Sequence, residues 1–335
     1  MVANVRSRSA KDSSMPRPRI EVIGLGKSYG PINALNDVTL QVDPGVVLGV
    51  LGHNGAGKTT LIDILATRST PTRGTARVCG WDVRRSGHQV RRHIGMTSQF
   101  TALDETMTGR ANLVLLARLL GASRAQARAR ADELLTTFDL TEAADRKMAT
   151  FSGGMRRRLD LAASLLGAPD VLFLDEPTTG LDPVSRTGLW VMVEALAARG
   201  TTVVLTTQYL EEADRLAKDI VVLAGGHVVA SGTPASLKAG IGQRTVSATF
   251  ADARATHHAV TTLQYAGMQP LADPAQCAVQ VPLAAAGEIA VLVRALDAAG
   301  VPILDLTVTE PTLDDVYVAL HRSAQEKAAQ MGWSA

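Results

Sequence analysis

A glycine-rich loop between an apolar run and a helical pattern constrains this chain more than any other segment. Residues Gly52 to Thr59 read GHNGAGKT, which matches the pattern GxxxxGK[ST]. The loop follows the run Val46–Leu51 and opens the helical pattern Thr60–Leu65. In such a loop the glycines let backbone N–H groups and the positive end of the helix point at an anion. The arrangement predicts a phosphate-binding loop in an α/β domain.

The loop also predicts which atoms meet a nucleotide and its cation. Lys58 would contact the outer phosphates, and the hydroxyl of Thr59 would bind Mg²⁺. The residues predicted to bind the nucleotide in this segment are Asn54, Gly55, Ala56, Gly57, Lys58, Thr59 and Thr60. The expected ligands are therefore ATP and Mg²⁺.

A second apolar run ends in two carboxylates. Val171 to Leu174 precede Asp175 and Glu176. Because burying an unpaired charge is strongly unfavourable, two acidic residues at the end of a buried strand indicate either a strand that enters a solvated turn or a functional site, and the phosphate-binding loop in the same chain favours the second. Asp175 is predicted to hold Mg²⁺ directly or through water. Glu176 is predicted to orient and polarise the attacking water as a general base.

Composition narrows the class of protein. Of the 335 residues, 34 are basic and 32 are acidic, and the formal net charge of +2 gives no sign of nucleic-acid binding. Cys79 and Cys277 stand in unrelated contexts, so we expect neither a disulfide framework nor a CxxC metal site, and a reducing cytoplasm fits best.

The apolar runs are too short to cross a membrane. A spanning helix needs about 20 apolar residues, and the runs here have the length of strands. Residues 1–19 are basic and lack the apolar segment of a signal peptide, so we expect a disordered tail or a true start at Met15. A role at a membrane would then require docking onto other chains.

The alternation of β-branched runs and amphipathic segments predicts an α/β domain followed by a small α+β domain. The first is expected at 20–239, with a helical subdomain at about 104–165 that is broken near Gly121. The second is expected at 240–325, with three strands, two helices between them and a final helix. Residues 326–335 are interpreted as a tail.

Further motifs stand in a fixed order around the loop and the two carboxylates. They are Ser28-Tyr29-Gly30, Gln99, Phe151-Ser152-Gly153-Gly154-Met155 and Pro177-Thr178-Thr179-Gly180-Leu181-Asp182. Over about residues 20–239 this set resembles the ATP-binding cassette (ABC) ATPases. The resemblance implies that Tyr29 stacks on adenine and that Gln99 is the Q-loop glutamine, which binds nucleotide and Mg²⁺. It also implies that residues 151–155 are the ABC signature.

The residue types of the signature also predict a phosphate site at the start of a helix. Ser152 is placed as an N-cap, and Gly153 and Gly154 leave backbone N–H groups open at the start of a helix. The family resemblance implies that this second phosphate site serves the ATP of another subunit, which favours a head-to-tail homodimer. The following Arg156-Arg157-Arg158 is interpreted as an exposed basic patch, with contact to the partner's γ-phosphate as the alternative.

The switch segment departs from the family pattern. Gln208, in TTQYLEEAD, stands where most ABC ATPases have histidine. An amide can donate a hydrogen bond to the γ-phosphate, but it cannot become cationic. Gln208 is therefore predicted as a catalytic residue alongside Lys58 and Glu176, and its identity favours Glu176 as the general base.

The same segments indicate a subfamily. TTQYLEEAD, SGGMRRRLD and EPTLDDVYVAL together resemble the daunorubicin/doxorubicin-resistance ATP-binding proteins and similar drug and lipid exporters. The resemblance implies a motor subunit on the cytoplasmic face of the cell membrane, bound to separate permease subunits and to no nucleic acid. The implied cargo is an amphipathic drug such as an anthracycline, or a lipid.

Two other functions remain as alternatives. Soluble ABC ATPases that act on ribosomes or nucleic acid have tandem cassettes or cassettes split by coiled coils. This chain instead has one motif set and no sustained heptads. An importer motor is disfavoured by the C-terminal domain and by Gln208. For the C-terminal domain itself, a regulatory or dimer-supporting role and a passive cap remain equally open.

Overall fold

The computed structural model describes residues 17–97, 103–240, 244–273, 275–283 and 287–319. The chain divides into two compact units, the first ending at Pro234 and the second beginning at Ala235. Gln99, most of the predicted N-terminal tail and the predicted C-terminal tail lie outside the described residues.

The first unit is built on a six-stranded sheet. The strands run in the order β10-β9-β3-β8-β7-β6. Their bounds are β3 Val47–Leu51, β6 Ile94–Thr97, β7 Val171–Asp175, β8 Thr202–Thr207, β9 Asp219–Ala224 and β10 His227–Gly232. The strands from β9 to β6 pair in parallel, and β10 pairs with β9 in antiparallel fashion. The predicted α/β architecture is confirmed.

Burial explains why the central strands were visible in the sequence. Every residue of β3, β7 and β8 is buried. Parallel strands covered on both faces form nearly continuous apolar runs. Their register places Leu51 opposite Thr207 and Asp175 opposite Thr206, so the carboxyl ends of β3, β7 and β8 meet at one edge.

A second sheet in this unit was only partly predicted. It has the order β2-β1-β4-β5, with β1 Ile20–Tyr29, β2 Ile32–Val42, β4 Arg73–Val78 and β5 Trp81–Asp82. The apolar segments Ile20–Ile23 and Val38–Val42 predict strands inside β1 and β2 but not their full length, because register shifts after Val22 interrupt the alternation. The strands β4, β5, β6 and β10 were not predicted, since they are short or half-exposed and carry a weak apolar pattern.

Helices surround this framework. Their bounds are α1 Lys58–Leu65, α2 Gly87–His93, α3 Gly109–Leu119, α4 Arg124–Thr137, α5 Gly153–Ser164, α6 Pro183–Ala198, α7 Leu210–Leu216 and α8 Pro234–Ala239. The break between α3 and α4 falls at Gly121, where φ is 96°. Ser123 and Gln126 form a capping box at the start of α4. Phe138 and Leu135 then bury the end of this hairpin of helices.

The second unit is a four-stranded antiparallel sheet with two helices. Its elements are β11 Arg244–Thr249, α9 Ala253–Tyr265, β12 Leu271–Asp273, β13 Ala278–Leu283, α10 Gly287–Ala298 and β14 Asp305–Thr309. The order β12-β13-β11-β14 and the βαββαβ succession are those of a ferredoxin-like fold. Residues 313–319 are helical, as predicted, whereas β12 was not predicted.

Within the described ranges, no helix combines the length and the apolar character that a membrane span requires.

Candidate functional site

Glycines allow the loop after β3 to fold tightly. Gly52, Gly55 and Gly57 have φ values of 156°, 84° and 106°, which disfavour L side chains. A Cβ on Gly52 would lie 2.5 Å from the carbonyl oxygen of Leu223, and one on Gly57 would lie 2.6 Å from that of Ala34. Larger residues at these two positions would force the loop to open. Gly57 is also the N-cap of α1, so the loop leads directly into the helix.

Lys58 is held inside the loop that precedes it. Its Nζ donates to the carbonyl oxygen of Gly52 at 2.7 Å and to that of His53 at 3.2 Å. The residue is only 5% exposed. Burial lowers the pKa of Lys58, and the nearby charges of Glu176 and Asp175 oppose that shift. The ammonium is thus positioned at the start of a helix, where it can bind anionic oxygens.

Asp175 is buried at the carboxyl end of β7 and contacts two hydroxyls. Its Oδ1 accepts from Thr206 Oγ1 at 2.5 Å, and its Oδ2 accepts from Thr59 Oγ1 at 3.4 Å. A hydroxyl and a carboxylate are the hard oxygen ligands that Mg²⁺ prefers, and neighbouring ligands of octahedral Mg²⁺ lie about 3 Å apart. The pair formed by Thr59 and Asp175 fits this cation.

Glu176 stands in a strained turn. Its φ is 46°, a left-handed conformation that costs about 1–2 kcal/mol in a residue with a Cβ. The turn is held because the backbone N–H of Glu176 donates to both the carbonyl and the hydroxyl of Thr206, at 3.0 and 3.1 Å. Its Oε2 accepts from Thr179 Oγ1 at 3.3 Å. The carboxylate is half-buried, which leaves it accessible to water.

Helix α5 begins as the sequence predicted. Ser152 is its N-cap, and Ser152 Oγ accepts from the backbone N–H of Met155 at 3.2 Å. A Cβ on Gly153 would meet no atom within 4 Å, so the space over the helix start is open. A Cβ on Gly154 would lie 2.4 Å from Ser185 Oγ, which explains glycine at this position by close contact with α6.

The interpretation of Arg156, Arg157 and Arg158 as an exposed basic patch is wrong. All three are partly buried, and each guanidinium donates to backbone carbonyls. Arg157 is the most buried of them. It donates to the carbonyl of Pro177 at 2.7 Å and to that of Asp175 at 3.3 Å, so it braces the turn that carries Glu176. Burial lowers the pKa of Arg157, with the charge of Asp160 as the main opposing influence.

Two further predicted residues, Gln208 and Tyr29, are exposed. Gln208 is exposed and directly follows β8, next to Thr207, whose hydroxyl accepts from the N–H of Tyr209 at 2.9 Å. Tyr29 ends β1 with its ring half-exposed. The ammonium of Lys27 lies 4.7 Å from the ring centroid, and the phenol oxygen of Tyr29 lies 3.3 Å from Ser69 Oγ. One ring face of Tyr29 is therefore already covered by a cation.

The structure brings Lys58, Thr59, Asp175 and Glu176 to one edge of the large sheet. Sequence reasoning missed Thr206, which anchors both acidic residues: its hydroxyl donates to the carboxylate of Asp175 and accepts from the backbone N–H of Glu176. The signal that could have identified it is positional, because a threonine near the end of the neighbouring buried strand faces the end of β7. Chemically, the arrangement can bind a polyphosphate and place a base beside it.

Comparison with known proteins agrees with this geometry. The ABC transporter family matches residues 35–179. The chain is 46% identical to a daunorubicin resistance ATP-binding protein of Streptomyces coeruleorubidus, over 91% of this chain and 96% of the relative. It is 51% identical to the daunorubicin/doxorubicin resistance ATP-binding protein of Streptomyces peucetius, over 72% of this chain and 73% of the relative.

Solved structures give the same result. The ATP-binding subunit of an ABC transporter superposes with a TM-score of 0.60 at 31% identity, covering 66% of this chain and 92% of that chain. A dimeric post-hydrolysis ATP-binding cassette bound to ADP and phosphate gives a TM-score of 0.58 at 25% identity, covering 64% and 98%. The chain belongs to the ATP-hydrolysing, ATP-binding subunits of ABC transporters, in the group of the daunorubicin and doxorubicin resistance ATP-binding proteins.

Proposed function

We propose that this ABC exporter motor uses MgATP, works as two copies of the chain, and drives an amphipathic drug or lipid through separate permease subunits at the cytoplasmic face of the membrane. The observation that carries the proposal is the meeting of Lys58, Thr59 and Asp175 at one edge of the large sheet. That meeting supplies a cation for the phosphates and oxygen ligands for Mg²⁺ at the same point.

The residues have distinct roles in this proposal. Lys58 binds the outer phosphates, and the N–H groups of the loop bind them from the other side. Thr59 and Asp175 hold Mg²⁺, which would neutralise phosphate charge when bound. Glu176, fixed by its backbone bonds to Thr206, accepts the proton of the attacking water. Gln208 donates a hydrogen bond to the γ-phosphate.

Three more residues complete the nucleotide contacts. Tyr29 stacks on adenine with the ring face that Lys27 leaves uncovered. Gln99, outside the described residues, binds nucleotide and Mg²⁺ as the Q-loop glutamine. Both roles rest on the family resemblance of the motifs that contain these residues.

The homodimer is supported by the start of α5. Ser152 and Gly153 are exposed, so the backbone N–H groups at this helix start are open to a ligand from outside the chain. One chain carries one motif set, and a relative of the same fold is dimeric with ADP and phosphate bound. Two copies arranged head to tail would each contribute Ser152 and Gly153 to the other's nucleotide.

The cargo is inferred from the relatives. The two relatives compared with this chain are named for resistance to daunorubicin and doxorubicin, which are amphipathic drugs, and this favours export over an action on ribosomes or nucleic acid. The test is transport of doxorubicin into inverted vesicles that contain the permease and the purified chain. We expect ATP-dependent uptake into such vesicles, and none with the Lys58→Ala chain. Robust ATPase activity without drug transport would assign a different cargo.

Gln208→His is expected to leave the rate of ATP hydrolysis unchanged or to raise it. Histidine can still donate a hydrogen bond to the γ-phosphate, and it can also carry a positive charge. Steady-state ATPase assays at pH 7 and pH 8 would measure the effect, with Gln264→His, at an exposed position of α9, as a control. Complete loss of turnover would mean that the site is built around the amide.

A further inference from the structure

One residue of the switch segment has a buried carboxylate, and none of the proposed roles uses it. Glu212 is in α7, four residues after Gln208, and is 0% exposed. Its Oε1 accepts from Trp190 Nε1 of α6 at 3.1 Å. Its neighbour Glu211 is exposed. A charged side chain with no exposure is rare and needs a reason, since burial without full pairing is unfavourable.

The carboxylate lies where three segments of the site converge. The hydroxyl of Thr207, next to Gln208, faces it, as does the hydroxyl of Thr178, two residues after Glu176. Trp190 connects it to α6, the helix that begins directly after the loop containing Thr178. Glu212 therefore touches the segment that carries the switch and the segment that carries the general base.

The contact between the switch segment and the loop of Glu176 leaves two buried polar atoms without a hydrogen bond. Glu212 Oε2 and Thr178 Oγ1 are both buried, and neither completes a hydrogen bond among the described residues. One atom is an acceptor and the other a donor, and the hydroxyl of Thr178 lies close enough to the Glu212 carboxylate to oppose the rise of its pKa. Unpaired buried donors and acceptors are unfavourable, so a small closing movement that joined them would be favoured.

Charged and polar groups around Glu212 influence the pKa of its carboxyl. Burial raises the pKa of Glu212, and the facing hydroxyls of Thr207 and Thr178, the indole N–H of Trp190 and the charge of Arg186 oppose that shift. The guanidinium of Arg157, which donates to the carbonyl of Pro177 in the same loop, also interacts with Glu212. The cationic groups that interact with Glu212 thus come from α5 and α6.

We propose that Glu212 is a positioning residue for ATP hydrolysis. Its Oε2 joins the hydroxyl of Thr178 in the nucleotide-loaded state and so couples the segment of Gln208 to the loop of Glu176. The coupling rests on the proposed roles of these two residues. Glu212 touches no substrate. It fixes the loop that carries Glu176, so that this base lies within hydrogen-bond reach of the attacking water.

Three variants test this coupling: Glu212→Gln, Thr178→Val and the double variant. Thr178→Val removes the hydroxyl at nearly constant shape. Steady-state kinetics should show kcat lowered about tenfold in each single variant, with the affinity for ATP within about twofold of the wild type. Because both changes remove the hydrogen bond from the Thr178 hydroxyl to a carboxylate oxygen, the double variant should be no slower than the singles. Glu211→Gln, at the exposed neighbour, should keep the wild-type kcat.

Other outcomes would overturn the proposal. These are a wild-type kcat in both single variants, losses that multiply in the double variant, or losses of kcat that accompany equal losses of ATP affinity and Tm. If Glu212→Gln does not fold, Thr178→Val carries the test alone. The Glu176→Gln variant separates the proposed role of the general base from the proposed coupling. If Glu176→Gln loses turnover while the Glu212 and Thr178 variants behave as wild type, only the coupling is wrong.

Discussion

We expect Lys58→Ala to abolish productive ATP binding. The ammonium is fixed by the carbonyls of Gly52 and His53 at the start of α1, and no other residue of the loop carries a positive charge. Loss of one charge-assisted donor to a reacting phosphate reduces turnover by about 100-fold or more, and here ATP affinity falls as well. Hydrolysis assays and binding of a fluorescent ATP analogue measure both effects.

Two controls make the Lys58→Ala result interpretable. Lys218→Ala changes an exposed lysine that follows α7 and should leave turnover unchanged. The Tm of Lys58→Ala without nucleotide should stay near the wild-type value, because burial already disfavours the charged form of Lys58. Near-normal ATP hydrolysis by Lys58→Ala would mean that the loop is not the phosphate site.

Glu176→Gln is expected to preserve ATP binding while stopping hydrolysis. The amide keeps the shape of the side chain and can still accept from Thr179, but it cannot take a proton from water. Loss of a general base slows turnover by about 100- to 10,000-fold. With ATP and Mg²⁺ the variant should accumulate as a dimer, which size-exclusion chromatography with light scattering would detect.

Metal removal and a matched variant complete this prediction. Addition of EDTA should prevent the dimer from accumulating, since Thr59 and Asp175 would then bind no cation. Glu142→Gln, at an exposed position between α4 and α5, should hydrolyse ATP at the wild-type rate. Normal turnover by Glu176→Gln would show that another group activates the water.

Much of the architecture could be predicted because the central strands are both buried and apolar. The runs that contain β3, β7 and β8 are continuous, and the loop before Lys58 has glycines at positions that require left-handed backbone. The short strands β4 and β5 gave no such signal, because their exposure to solvent permits a mixed composition. The site residues followed from the motifs, whereas their mutual distances did not.

The burial of two charged residues could not be predicted from the sequence, because it depends on contacts between distant segments. Arg157 belongs to a run of three arginines, which is the pattern of a solvated face, yet its guanidinium finds carbonyls 18 and 20 residues further along the chain. Glu212 belongs to the acidic string LEEAD, which is the pattern of an exposed helix end, yet it binds an indole of α6. In both cases a polar partner brought by tertiary structure decides the burial.

The most direct test of the exporter motor is a pull-down of tagged Glu176→Gln chain, with ATP and Mg²⁺, from gently solubilised membranes of its own cell. We predict recovery of an integral membrane protein with several spanning segments, and no recovery when Lys58→Ala is added to the same chain. Recovery of ribosomes, nucleic acid or soluble proteins alone would leave the ATPase in place and contradict its assignment to membrane export.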